Sequence, residues 1–294
     1  MQVIKDYVKA KKPTLSDSSI TTYSSILKNL YKRVFDNDTI DFKKFDETDK
    51  VINFLKDMAP NKRKTILSSL VIITDKKPYR DLMLEDVKQY NEDMSKQEKS
   101  ESQKENWTDQ NQIKTILVEL KNNADLIYKK NKLTLNDLQE IQSYIIMCLL
   151  GGYYIAPRRS KDFVDFKCKN VDKETDNFMD KNKMYFNSYK TAKTYGQQSI
   201  DIPKELKSIL NKWCKVNPTE FLLFDSNLNK LSSVKLNQRL NKLFDKKKIS
   251  VNALRHAYLT DKYAAHSMEN KKLENDLSNM GSSMNMADTY IKLK

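Results

Sequence analysis

Between Asn91 and Asn106 the chain is built of Glu, Lys, Ser and Gln with almost nothing apolar, and on either side apolar residues return at helical spacing. A stretch with nothing to bury cannot run through a core, so each flank must build its own. This predicts a helical domain over 1–90, a linker or exposed helix over 91–106, and a second domain over 107–294. A chain of 294 residues is long enough for two modest cores.

In the first flank Thr14-Leu15-Ser16-Asp17 resembles a capping box, and Ile20, Tyr23, Ile26, Leu27, Leu30, Tyr31 and Val34 follow on one stripe. A second helix is expected over 46–58, closed by Pro60. A third starts near Asn61 and carries Ile66, Leu67, Leu70 and Ile73, and a fourth covers 79–90. Lys62, Arg63 and Lys64, at the start of the third, suit either a phosphate backbone or a solvated face.

In the second flank Thr108 is a candidate cap for a helix through Ile113, Ile116, Leu117 and Leu120. Thr134 to Asp137 caps the stripe Leu138, Ile141, Tyr144, Ile145, Cys148 and Leu149. The apolar run from Tyr144 to Tyr154 contains Gly151 and Gly152 and reads as a core helix and its end. Residues 163–166 read as a short strand. Residues 184–189 and 197–202 alternate as a hairpin, with Lys190 to Gly196 as its turn. Helices are expected again over 204–216, 232–244, 251–265 and 273–280. The fold class is therefore mainly α with a small antiparallel β-sheet, an α+β arrangement.

Charge narrows the partners. A formal net charge of +14 favours a polyanion, duplex DNA above all, although a lysine-rich proteome produces the same surplus. The basic residues are spread along the chain, which argues against a single membrane-surface helix. No run approaches the roughly eighteen uninterrupted apolar residues of a membrane span. Lys5, Lys9, Lys11 and Lys12 interrupt any N-terminal signal region, so an intracellular protein is expected. Cys148, Cys168 and Cys214 are odd in number and show no C-x-x-C spacing; they point to a reducing compartment, without a disulfide framework or structural zinc. With His256 and His266 as the whole histidine complement, neither a metal nor another cofactor is expected.

Arginine is used sparingly in this lysine-rich chain: Arg33, Arg63, Arg80, Arg158, Arg159, Arg239 and Arg255. Three of them fall in two compact boxes, Gly151-Gly152-Tyr153-Tyr154-Ile155-Ala156-Pro157-Arg158-Arg159-Ser160-Lys161-Asp162 and Ser250-Val251-Asn252-Ala253-Leu254-Arg255-His256. A guanidinium clamps phosphate through a rigid fork of donors, which lysine cannot reproduce. Met280-Gly281-Ser282-Ser283 follows the second box, and Tyr290 comes eight residues after Ser282.

An arginine box, a hairpin with a lysine in its turn, an Arg-His box and a late tyrosine, in that order, resemble the tyrosine recombinase (phage-integrase-like) family. The resemblance covers most of 107–294 and, more weakly, the helical N-terminal segment. It implies a helical DNA-binding domain followed by a catalytic domain, closed around duplex DNA as a clamp. It implies strand cleavage through a 3′-phosphotyrosine on Tyr290, a free 5′ hydroxyl, and a homotetramer holding two DNA sites. Arg159, with Asp162 three residues on, matches the first phosphate clamp; Arg158 remains the alternative. Lys190 matches the lysine that protonates the leaving 5′ oxygen, with Lys193 as the alternative.

Arg255 and His256 match the second box, but Asn252 stands where the family has a histidine, and Ser282 stands where it has a histidine or tryptophan. Asn252 can donate a hydrogen bond to a phosphoryl oxygen but cannot shuttle a proton. His256, as a lone histidine on a helix, reads by default as a satisfied core residue. The family's exchanged C-terminal helix has no counterpart in the four residues after Tyr290. A viral or mobile-element source, acting in a host nucleus, cytoplasm or virion, suits this composition. A type IB topoisomerase and a catalytically silent DNA-binding protein of the same fold are the competing readings.

Overall fold

In a computed structural model of the chain, residues 1–245 and 247–287 are described. They divide into two compact units, Met1–Lys99 and Ser100–Lys294, each with its own hydrophobic cluster.

The first unit is helical: α1 Gln2–Lys11, α2 Asp17–Phe35, a 3-10 helix Phe42–Asp46, α3 Thr48–Leu55, α4 Pro60–Thr74 and α5 Lys77–Ser95. The cap of α2 is not the expected box at Thr14–Asp17 but Ser16, which accepts the Ser19 N–H; Pro60 opens α4 where no intrahelical N–H bond is lost. α1 escapes the stripe argument because only Ile4 and Val8 anchor it among lysines. The helix expected over 46–58 is present but shorter, as α3; Asp46 belongs to the preceding 3-10 helix, where Phe45 is buried and its carbonyl accepts the Tyr79 hydroxyl at 2.7 Å. α5 runs on past Tyr90 to Ser95, since a polar sequence without Gly or Pro still propagates a helix.

The second unit opens with α6 Glu101–Glu105 and α7 Gln110–Ile127, followed by α8 Leu135–Leu150. The α7 cap is Asp109, which accepts the Gln112 N–H, while the Thr108 hydroxyl pairs with the Gln112 side chain. α8 begins in the expected capping box of Thr134 and Asp137. Residues 141–150 of α8 are all buried, so this is the central helix of the unit. Gln142 lies inside that core and bonds both polar groups of Phe224, donating to its carbonyl at 2.9 Å and accepting its N–H at 2.8 Å. A buried amide is tolerable there because both of its ends are satisfied.

Next come α9 Ser160–Val164, β1 Phe166–Lys167, β2 Asn177–Asp180, β3 Lys183–Phe186, α10 Ala192–Tyr195, β4 Gln198–Asp201, α11 Lys204–Val216, α12 Ser233–Leu243 and α13 Val251–Asn279, then a 3-10 helix Met284–Met286. The sheet order is β1-β2-β3-β4. The expected hairpin is present, with Lys183 opposite Asp201 and Phe186 opposite Gln198.

The sheet is mixed, however, because β1 joins β2 in parallel. A strand of two residues has no periodicity from which its direction could be read. Residues 163–164 are helical in α9, so the short strand begins only at Phe166. The two helices expected over 251–265 and 273–280 are one, α13, because the polar residues between them include no Gly or Pro.

Cys168 and Cys214 are bonded to each other, with Cα atoms 5.8 Å apart, against the expectation of three thiols. Their spacing in sequence carries no signal because packing of α11 against the end of β1 brings them together. Cys148 is a free, buried thiol on α8, pushed up to about 12 by desolvation. Among the described residues no helix is long and apolar enough to cross a membrane.

Candidate active site

The loop between α8 and α9 carries the first arginine box. Gly152 adopts φ +81°, and a Cβ placed there would lie 2.5 Å from Cδ2 of Tyr258. Tyr258 sits on α13 three residues after Arg255, so the ring that fills the space above Gly152 joins the first box to the helix of the second. α13 also packs on α7 and α8.

The two neighbouring arginines have different surroundings. Arg158 is largely buried: its Nε donates to Asp162 Oδ2 at 2.7 Å, and its Nη2 donates to Gln198 Oε1 at 3.0 Å. Its guanidinium carbon lies 4.0 Å from the centre of the Phe186 ring and 5.6 Å from that of Tyr189. Arg159, the N-cap residue of α9, is exposed. Of the seven arginines, Arg159 is the one whose side chain has no hydrogen-bond, ion-pair or ring partner among the described residues. Burial raises the Asp162 carboxyl above the usual carboxylate range, opposed by the charge of Arg158 and then of Arg159.

Lys190 and Lys193 are both exposed in the connection between β3 and β4, Lys190 ahead of α10 and Lys193 within it. The Tyr189 hydroxyl donates to the Gly196 carbonyl at 2.8 Å and closes this connection across its base. On the other side, the Asn177 side chain accepts the N–H groups of Asn187 and Ser188 and donates to the carbonyls of Asp162 and Ser188. The lysine-bearing loop is thus fastened to α9 at its root.

On α13, Arg255 is half-buried and its Nη1 donates to Asn252 Oδ1 at 3.1 Å. Asn252 therefore orients Arg255, one turn away on the same helix. His256 is exposed, contrary to the expectation of a core histidine, because it follows Arg255 on the outward side of the helix. Met280-Gly281-Ser282 ends α13: the Ser282 N–H donates to Leu277 O at 2.8 Å and the Gly281 N–H to Ser278 O at 2.9 Å, with Gly281 at φ +69°. That pair of bonds is a Schellman motif and accounts for the glycine in the third box. Tyr290 lies outside the described residues.

In the first unit the basic triplet separates into three environments. Arg63 forms a two-pronged ion pair with the buried Asp86 at 2.9 and 2.7 Å and also donates to the Lys56 carbonyl. Lys64 lies over the Tyr90 ring, while Lys62 is exposed. Sequence reasoning missed Gln198 and Tyr258. Gln198 follows another glutamine and carries no distinguishing signal; the aromatic after an Arg-His pair, facing a Gly-Gly pair upstream, was the legible hint of Tyr258.

The sequence matches no protein-family model and no curated protein. Among solved structures, lambda integrase residues 75–356, a dimer bound to a COC′ core site, aligns over 90% of this chain and 93% of its own at 12% identity, with a TM-score of 0.45. A second lambda integrase dimer bound to a COC′ core site covers 100% of this chain and 80% of its own at 12% identity, with a TM-score of 0.43. XerA recombinase aligns over 88% of this chain and 83% of its own at 11% identity, with a TM-score of 0.36.

Proposed function

We propose that this chain is a DNA strand-cleaving and rejoining enzyme of the tyrosine recombinase type. The observation that carries this reading is the unpartnered, exposed guanidinium of Arg159, on a loop that packs through Gly152 against the helix of Arg255. Two arginines on touching elements, one free and one oriented by Asn252, suit a phosphodiester whose negative charge grows during attack.

In the proposed step the Tyr290 hydroxyl oxygen attacks phosphorus and gives up its proton to water as the bond to the 5′ oxygen breaks; Lys190 supplies the proton that the 5′ oxygen takes up and regains one from water. Lys193, on the same loop, is the alternative donor. Arg159 and Arg255 stabilise the equatorial oxygens, and His256 and Ser282 supply hydrogen bonds. Rejoining is the reverse attack by a 5′ hydroxyl on the phosphotyrosine. The net charge of +14 supplies sequence-independent affinity for duplex DNA, and exposed Lys62 is one contributor in the first unit.

Asn252 favours a second reading, a binding protein that keeps the site without its chemistry, because its Oδ1 is engaged by Arg255 and an amide cannot accept a proton from tyrosine. Covalent trapping separates the two. Wild type and Tyr290→Phe are incubated with nicked random-sequence duplexes and resolved under denaturing conditions. The enzyme reading expects a slow-migrating DNA–protein adduct that disappears in the variant. DNA binding without an adduct would establish the silent reading instead.

A further inference from the structure

Arg158 lies beside the proposed phosphate clamp, yet two of its three guanidinium nitrogens, Nε and Nη2, are engaged within the protein. Phe186 and Gln198 are the register pair at the ends of β3 and β4, the last rung before the loop that carries Lys190. Arg158 lies against both members of that rung, stacking on the Phe186 ring and donating to the Gln198 side chain. It also approaches the ring of Tyr189, the residue immediately before Lys190. Its other prong reaches Asp162 in the first turn of α9, whose N-cap is Arg159. One side chain thus spans the mouth of the lysine loop and the root of the arginine clamp. A planar fork that both stacks and donates in two directions is needed for this, and lysine does not offer it.

From this we infer that Arg158 is a positioning residue that holds the Lys190 loop in alignment with Arg159, and that it does not itself contact the scissile phosphate. The inference rests on the proposed strand-cleavage function. Losing Arg158 then damages protonation of the leaving oxygen, whereas losing Arg159 damages charge stabilisation at phosphorus.

The test compares nicked duplexes containing an ordinary 5′ oxygen at the cleavage site with duplexes containing a 5′ bridging sulfur. Sulfur departs as a thiolate and needs no proton donor, because a thiol is far more acidic than an alcohol. With oxygen substrates, Arg158→Met is expected to lower the maximal rate of adduct formation by roughly 100-fold, the usual scale for losing a positioned acid. Half-saturation by DNA should remain near the wild-type value. With sulfur substrates Arg158→Met and Lys190→Ala should both recover to near the wild-type rate, Arg158→Lys should need the same rescue, and Arg159→Met should stay slow. An Arg158→Met defect that sulfur does not relieve, or no defect at all, would overturn the inference.

If wild type forms no adduct with either substrate, the functional reading fails separately, and coupling is then read by hydrogen exchange. Amides of 187–197 should exchange at least about 10-fold faster in Arg158→Met while those of α8 are unchanged; unchanged loop exchange would overturn the coupling. Should Arg158→Met fail to fold, Gln198→Leu removes only the loop-side hydrogen bond, and the same sulfur rescue and exchange criteria apply.

Discussion

At Gly152 a positive φ of +81° coincides with a ring 2.5 Å from where a Cβ would sit. Alanine there meets both constraints: about 1–3 kcal/mol for the backbone conformation and about 1–3 kcal/mol for forcing Tyr258 aside. Urea unfolding of Gly152→Ala should show a loss in that combined range, and any adduct formation should fall because Arg159 shares the displaced loop. Arg63 and Lys62 provide a second contrast at the same scale. Arg63→Met strands the buried carboxylate of Asp86 and should cost about 3–5 kcal/mol in denaturant titrations. Lys62→Ala should leave stability within about 0.5 kcal/mol. It should instead reduce by about one the slope of log affinity for DNA against log salt.

Among the elements, α8 has the most sharply defined start. Asp137 accepts a hydrogen bond from Lys130 and bonds the backbone and side chain of Thr134, which together hold its carboxyl down to about 2. A carboxyl whose pKa is lower folded than unfolded adds stability above its unfolded value near 4, and loses that contribution as pH falls through the folded value. The wild type should therefore lose stability between about pH 4 and pH 2 on this account. Asp137→Asn should show a flatter profile across that window and lower stability at neutral pH, measured by thermal melts at stepped pH. The capping box was legible because Thr-x-x-Asp ahead of an apolar stripe is a local pattern. The union of 251–279 into α13 was not, since its middle is polar and a stripe argument reads only residues that face a core.

For the whole molecule, two separate hydrophobic clusters mean that a local perturbation should report on one unit at a time. The Cys168–Cys214 bond spans 46 positions of sequence and encloses β2, β3, α10 and β4 together with most of α11, including both candidate lysines. Closing a loop of that size stabilises the folded state by about 2–4 kcal/mol relative to an unlinked chain. Calorimetry with and without a thiol reductant should accordingly lower the transition of the Ser100–Lys294 unit. The transition of Met1–Lys99, which contains no cysteine, should stay in place.

Most helix positions, the α8 capping box, the β3–β4 hairpin and the polar division of the chain follow from sequence alone, because each depends on residues a few positions apart. The order of the arginine boxes, the hairpin lysine and the late tyrosine was readable for the same reason. Which arginine is free was not, because Arg158 and Arg159 are chemically identical. Only contact with Asp162, Gln198 and Phe186, the last two from a distant hairpin, distinguishes them. The Cys168–Cys214 bond, the parallel β1–β2 pair, the burial of Arg63 and the packing of Tyr258 on Gly152 likewise belong to tertiary structure. Each depends on which distant surfaces meet, and a linear pattern does not encode that meeting.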